Sequence, residues 1–380
     1  MKKRIVCLLF ACLLTASACG KQPAALPDAP SDSAPQTAPE EPPAEPTPDP
    51  AETYVDDLTL EEQIAQMFFA RCPETDAAAL AGQYNIGGYI LFGRDFEGQT
   101  PDSVRETIAS YQAAAKTPML IGVDEEGGTV VRVSSNPNFR AAKFHSPQSL
   151  YAEGGMELVV SDTKEKDELL SSIGVNVNLA PVCDVSTDAG DFIFDRSFGQ
   201  DAASTSEYVR AVVIQMSEDN MGAVLKHFPG YGNNIDTHTG IAVDDRPLET
   251  FRENDFKPFQ AGFGAGAGSV LVCHNIMTAV DPDLPASLSP AVHELLRGEL
   301  GYQGVVMTDD LIMDAITEYT DGADAAVLAV QAGNDMLISS DFVTQYQAVL
   351  DAVYSGSLSK EQIRESAVRV VRWKMVLGLL

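Results

Sequence analysis

Eight short apolar runs, mostly separated by stretches of helical periodicity, constrain this chain more than any other feature. They are Met67–Ala70, Gly88–Phe92, Met119–Val123, Val175–Leu179, Ala223–Leu225, Ser269–Val272, Val305–Met307 and Asp335–Ile338. Each is strand-sized and bounded by glycine or polar residues, as a strand buried on both faces must be. Between them lie helical patterns such as Ser103 to Ala115, Asp201 to Asp219 and Pro290 to Leu300. Another helix opens ahead of the first run, with Thr59 as N-cap and Glu62 three residues on completing a capping box. Eight strand-then-helix units in one α/β domain predict a (β/α)8 barrel of the TIM type. The alternative, a doubly wound sheet, lacks its Gly-x-Gly-x-x-Gly fingerprint after the first strand, and Gly127-Gly128 does not supply one.

The first 52 residues stand outside this pattern. Met1 to Arg4 is basic, Ile5 to Ala18 is mostly apolar and ends in small residues, and the run is too short to span a bilayer. Residues 1–18 therefore read as a signal peptide. Ser17-Ala18-Cys19-Gly20 resembles a bacterial lipobox, with Ala16 where leucine is usual, which makes Cys19 the expected lipidation site. Residues 19–52 are Pro, Ala, Asp, Glu, Ser and Thr with almost no large apolar side chain, a composition that cannot offset ordering entropy. They are expected to tether a folded barrel, residues 53–380, outside a bacterial cytoplasmic membrane, with free secretion as the alternative. A net charge of −30 argues against nucleic acid or an anionic membrane surface as partner. Cys72, Cys183 and Cys273 are too few and too scattered for a disulfide framework or a zinc site, and are expected to be small buried residues near strand ends.

Barrel enzymes carry their chemistry at the C-terminal ends of the strands, and the polar residues of this chain fall there. Asp124-Glu125-Glu126 closes the third run, Asp184 follows the fourth, Lys226-His227 the fifth, His274-Asn275 the sixth and Asp309-Asp310 the seventh. Four of the five histidines, His145, His227, His238 and His274, are placed on this side. A lone acid after a strand is often only a helix N-cap, but five charged strand ends around one mouth need another explanation. No His-Glu-x-x-His spacing and no Gly-x-Ser-x-Gly elbow appears, so neither a metal nor a cofactor is expected.

Leu225 to Gly240 is the most informative of these strand ends. Asp236 and His238 stand two residues apart in a loop carrying Gly230, Gly232 and Gly240. In an extended segment, residues i and i+2 face one side, so the Asp236 carboxylate can hold one ring nitrogen of His238 and leave the other for proton transfer. Carboxylates with a mobile Asp-His pair and no metal suit glycosidic bond cleavage, in which one group attacks the anomeric carbon and another protonates the leaving oxygen.

The motifs IGVDEEGGTVVRV (121–133), VNLAPVCDV (177–185), FDRSFG (194–199), KHFPGYGNNIDTH (226–238), LPASLSP (284–290) and VVMTDDLIM (305–313) resemble those of glycoside hydrolase family 3. The likeness is greatest to its single-domain β-N-acetylhexosaminidase branch and runs from about Leu58 to Leu380. It implies that Asp309 is the nucleophile of a covalent glycosyl-enzyme, a choice over Asp310 that composition cannot make. It implies His238 as general acid/base oriented by Asp236, and Asp124, Arg132, Arg196, Lys226 and His227 as contacts of a terminal N-acetylglucosamine. Asp184 is implied to stand behind those contacts, and strained or cis peptides are implied at Lys226-His227 and Phe228-Pro229. The chain departs from the pattern at Tyr231, where many relatives have histidine, and at Thr129, where arginine is common.

The expected activity is therefore that of a retaining exo-β-N-acetylglucosaminidase acting on terminal β-linked N-acetylglucosamine of glycans such as cell-wall fragments, as a monomer. The β-glucosidase branch takes its acid from a second domain, for which no room is expected after Leu380. A β-glucosidase or β-xylosidase, and a phosphorylase, remain the enzymatic alternatives. The non-enzymatic one is a surface glycan-binding lipoprotein. The lone Trp373 offers no tryptophan platform for a long polysaccharide.

Overall fold

The computed structural model describes residues 48–236, 240–317, 319–320 and 322–380. The signal segment, Cys19 and His238 lie outside the described residues. The eight strands form where the apolar runs predict them: β1 (Phe68–Arg71), β2 (Gly88–Leu91), β3 (Leu120–Val123), β4 (Val177–Asn178), β5 (Gly222–Phe228), β6 (Ser269–Val272), β7 (Val305–Thr308) and β8 (Leu337–Ser339). All pair in parallel, in the order β8-β1-β2-β3-β4-β5-β6-β7. A parallel bridge between Met307 and Met336 brings the two edges together and nearly closes the sheet into a barrel.

Alternation along the strands separates two cores. Phe69, Ile90, Leu120, Leu179, Val224, Leu271, Met307 and Ile338 point into the barrel. Their neighbours, such as Phe68, Tyr89, Ile121, Leu225 and Val306, pack outward under the helices. The C-terminal helix Lys360–Val376 sends Val370 and Trp373 into the inner cluster. Gly268 makes this fit possible, since a Cβ there would meet the Trp373 indole nitrogen at 2.1 Å. The lone tryptophan is thus a packing residue, and Cys72, Cys183 and Cys273 are buried and free, Cys72 and Cys273 just beyond a strand.

One boundary moves. Helix Pro50–Asp56 begins inside the stretch expected as tether, capped by Asp49, and buries Ala51 and Val55 against Ala367, Val368 and Val371 of the C-terminal helix. The contact is distant in sequence, which is why a local reading of Pro, Ala and acidic composition did not find it. Among the described residues no helix is long and apolar enough to cross a membrane.

Lys374 is fully buried on the same C-terminal helix, its Nζ donating to Gln66 Oε1 at 2.6 Å. Burial pushes its pKa down to about 7. The folded state therefore holds this proton less tightly than the unfolded chain, so stability rises with pH from about 7 toward 10.5. Lys374→Met is expected to stabilise the fold relative to the parent at pH 6, by up to a few kcal/mol, and less so at pH 9, which appears as a higher unfolding temperature. Thermal unfolding of both proteins at the two pH values checks this, and an identical difference at both would remove the linkage.

Candidate active site

The C-terminal ends of the strands open into one cavity of about 570 Å³, lined by Arg71, Phe92, Asp124, Arg132, Phe192, Arg196, Lys226, His227, Asp236, Asp309, Asp310 and Ile312 among others. The structure thus brings together Asp309, Asp236, Asp124, Arg132, Arg196, Lys226 and His227, the described residues expected to act on or contact the sugar.

The three acids after β3 separate into different tasks. Glu125 turns into the protein and is fully buried. It accepts from the backbone N–H of Arg132 and Val133, both at 2.7 Å, of Ser134 at 3.2 Å, and from the Ser134 hydroxyl. It therefore shapes the loop that brings Arg132 to the cavity. Asp124 and Glu126 both reach Lys226, whose Nζ lies 2.6 Å from each carboxylate. Glu126 also takes two hydrogen bonds from Arg196, at 2.8 and 3.1 Å. Arg132 stands 4.0 Å from Asp124.

Burying these charges is costly unless they neutralise one another. Burial pushes the Glu126 carboxyl up, but Lys226 and Arg196 together hold it well below the usual carboxylate range. Burial likewise opposes the charge on Lys226, and Asp124 and Glu126 more than offset it, so the ammonium is stabilised. The same balance with Glu126 raises Arg196. This side of the cavity is a fixed array of donors and acceptors, matched to hydroxyl groups that both give and take hydrogen bonds.

His227 joins the array from the other side. Its Nδ1 lies 2.8 Å from Asp184 Oδ2, and its Nε2 lies 3.1 Å from Arg196 Nη2. Guanidinium only donates, so Nε2 accepts and Nδ1 carries the proton toward Asp184. Asp184 also accepts from the backbone N–H of His227 at 3.0 Å and of Tyr231 at 2.8 Å. It thus holds the histidine ring and the start of the following loop. The Lys226-His227 and Phe228-Pro229 peptides are cis, and so is Ala180-Pro181.

Asp309 and Asp310, indistinguishable by composition, differ in environment. Asp310 Oδ1 accepts from the backbone N–H of Ile312 at 3.3 Å and of Ser340 at 3.1 Å, and Oδ2 accepts from the Ser340 hydroxyl. It ties the loop after β7 to the end of β8. Asp309 is held at the edge of the cavity through its backbone N–H, which donates to Val272 O at 3.1 Å.

The loop after β5 is seated on a buried ion cluster. Arg246 pairs with Asp244 at 2.7 Å and with Asp255 at 3.1 Å. Gly230 has φ +120°, and a Cβ there would meet Asp255 Oδ1 at 2.6 Å, so only glycine lets the chain pass. A short parallel pair, Val243–Asp244 with Ile276–Met277, carries Asp244 to this place.

Three expected mouth residues are not there. His274 is buried, its ring held between Ser287 Oγ at 2.7 Å and Asp310 O at 3.1 Å. Asn275 is also buried and donates to Gly230 O. His145 is exposed near Glu153, outside the cavity lining. Thr129 sits exposed in the turn after β3, whereas Tyr231 is buried edge-on to the His227 ring at 5.1 Å. Two contributors were given no role by the sequence: Glu126, read only as one of three acids closing the third run, and Arg71, whose guanidinium lies 4.6 Å over the Phe92 ring. Among the described residues no cluster of three His, Cys, Asp or Glu side chains could hold a metal ion.

The model of the glycosyl hydrolase family 3 N terminal domain matches residues 59–373. A β-hexosaminidase of Xanthomonas campestris pv. campestris is 37% identical over 234 residues, 60% of this chain and 70% of that one. Among solved structures, a glycoside hydrolase family 3 β-N-acetylglucosaminidase from Paenibacillus is 32% identical with a TM-score of 0.79. The superposition covers 85% of this chain and 63% of that one, so the chain spans less than two thirds of its length. A family 3 glycosyl hydrolase from Mycobacterium smegmatis is 31% identical with a TM-score of 0.75, covering 84% of this chain and 98% of that one.

Proposed function

This chain belongs to glycoside hydrolase family 3, and from that membership we propose that it is a retaining exo-β-N-acetylglucosaminidase, removing terminal β-linked N-acetylglucosamine from glycans such as cell-wall fragments. The observation that carries the reading is the meeting of Asp309 and Asp236 with Asp124, Lys226, Arg196 and His227 in one cavity, the two cations being held by the buried Glu126.

In the first step the Asp309 carboxylate forms a bond to the anomeric carbon as the bond to the leaving oxygen breaks, and His238 gives that oxygen its proton. In the second, His238 takes a proton from water, whose oxygen bonds to the anomeric carbon and releases Asp309. Two displacements at one carbon retain its configuration. Asp236 orients and charges the histidine, while Lys226 and Arg196 donate to sugar hydroxyls and Asp124 accepts from them. Because the array is already paired, little reorganisation accompanies binding. Lipidation at Cys19 would place this chemistry on the outer face of a bacterial membrane.

The deciding experiment is hydrolysis of paired chromogenic β-glycosides, N-acetylglucosaminide against glucoside, with and without phosphate. A strong preference for the N-acetyl sugar without phosphate dependence is expected. Preference for glucoside would move the protein to another branch, a sugar phosphate product would make it a phosphorylase, and no turnover would make it a binding module. His238→Ala is expected to lose most on substrates with poor leaving groups, since an activated phenol needs little protonation. Equal losses on alkyl and nitrophenyl glycosides would instead make His238 a positioning residue.

A further inference from the structure

The charged array occupies one side of the cavity, and two large apolar side chains stand exposed at its edge. Phe192, in the loop after β4, is 38% exposed, and Ile312, in the loop after β7, is 43% exposed. Both line the catalytic cavity. We propose that Phe192 and Ile312 form the shelf on which the sugar beyond the scissile bond rests, so that the enzyme reads its leaving group through an apolar ring face. The inference rests on the glycosidase reading above.

Position carries the argument. The acid must give its proton at the leaving oxygen, so the leaving group lies beside the β5 loop that brings Asp236 into the cavity. Phe192 is fixed to that same loop: its ring meets Tyr231 edge-on at 5.7 Å, and Tyr231 meets His227 edge-on at 5.1 Å. Ile312 lies three residues beyond the proposed nucleophile, its backbone N–H held by Asp310 Oδ1 at 3.3 Å. The nucleophile attacks opposite the bond that breaks, so the anomeric carbon lies between Asp309 and the acid, and the leaving group points away from Asp309 toward the edge of the cavity where Phe192 and Ile312 are exposed. A β-linked pyranose with equatorial hydroxyls presents axial C–H bonds on its faces, which pack on an aromatic or branched aliphatic surface as polar groups do not. Tyr231, the departure from the family pattern, acquires a reason: it carries the aromatic contact from His227 out to Phe192.

The test compares two substrates that share the terminal sugar and differ in what leaves. One is the β-1,4-linked N-acetylglucosamine disaccharide, which fills the shelf; the other is the β-glycosyl fluoride, whose single leaving atom cannot. Phe192→Ala is expected to lower kcat/KM on the disaccharide about 10-fold, at least fivefold more than on the fluoride. Phe192→Trp is expected to restore the disaccharide rate. Ile312→Ala should shift the same ratio by a smaller factor, about threefold. Equal losses on both substrates would show that Phe192 merely props Tyr231 and His227, and no loss on the disaccharide would leave the shelf unused; either result overturns the proposal while the glycosidase reading stands. If the unaltered protein cleaves neither substrate, the glycosidase reading itself fails and the shelf with it.

Discussion

Asp309→Ala is expected to lower kcat/KM by at least about 10⁴-fold, equivalent to some 5 kcal/mol of transition-state stabilisation, with little change in unfolding temperature. The backbone at this position is fixed by the sheet, through the hydrogen bond from Asp309 N–H to Val272 O, and the side chain faces a cavity rather than the core. Removing it therefore removes chemistry more than packing. The decisive readout is rescue by azide. A small anion filling the vacated space attacks the anomeric carbon from the face the carboxylate used, so a β-glycoside should yield the α-glycosyl azide and recover part of its rate. A variant with near-normal activity, or an azide product of retained configuration, would place the nucleophile elsewhere. Asp310→Ala serves as the contrast: it unties the β7 loop from Ser340 and Ile312, so its loss should appear in stability as well as rate and should not respond to azide.

Why the sequence could locate the mouth of the barrel but not sort its residues is visible in these same acids. Periodicity and punctuation are local, and they place eight strands within three residues of where they form. They also place polar residues at the correct ends, because a strand buried on both faces can only carry charge where it stops. Which way each residue turns after the strand depends on partners far along the chain. His274 follows β6 as His227 interrupts β5, yet Ser287 and the Asp310 carbonyl hold it in the interior. Glu125 and Glu126 are chemically alike, but one closes a loop through backbone donors and the other neutralises Lys226 and Arg196. The helix at Pro50 exists because the C-terminal helix offers Ala51 and Val55 a surface. In each case the deciding contact is tertiary, and neither composition nor spacing encodes it.

Glu126 is the residue that the sequence left unsorted among three acids and the energetics bring forward. Glu126→Ala leaves the Lys226 ammonium and the Arg196 guanidinium facing each other with a carboxylate missing between them, and a buried charge stripped of its partner costs about 3–5 kcal/mol. Thermal unfolding should show that loss, and kcat/KM should fall by about 10²-fold, because Lys226 and Arg196 no longer hold the positions in which they are proposed to meet the sugar. Glu126→Gln keeps the shape and removes only the charge, which separates electrostatics from packing. Since the cations hold the Glu126 carboxyl well below the usual carboxylate range, the folded state binds this proton less tightly than the unfolded one. The charge-dependent stabilisation is thus present above about pH 4.5 and is lost as the pH falls below it. The stability gap between parent and Glu126→Gln should accordingly be full at pH 7 and narrow toward pH 3. A gap that does not change with pH would mean the carboxylate acts through shape alone. A variant with full stability and activity would mean that Asp124 and Asp184 suffice to neutralise the cluster, and that the sugar-facing array is organised from the Asp124 side.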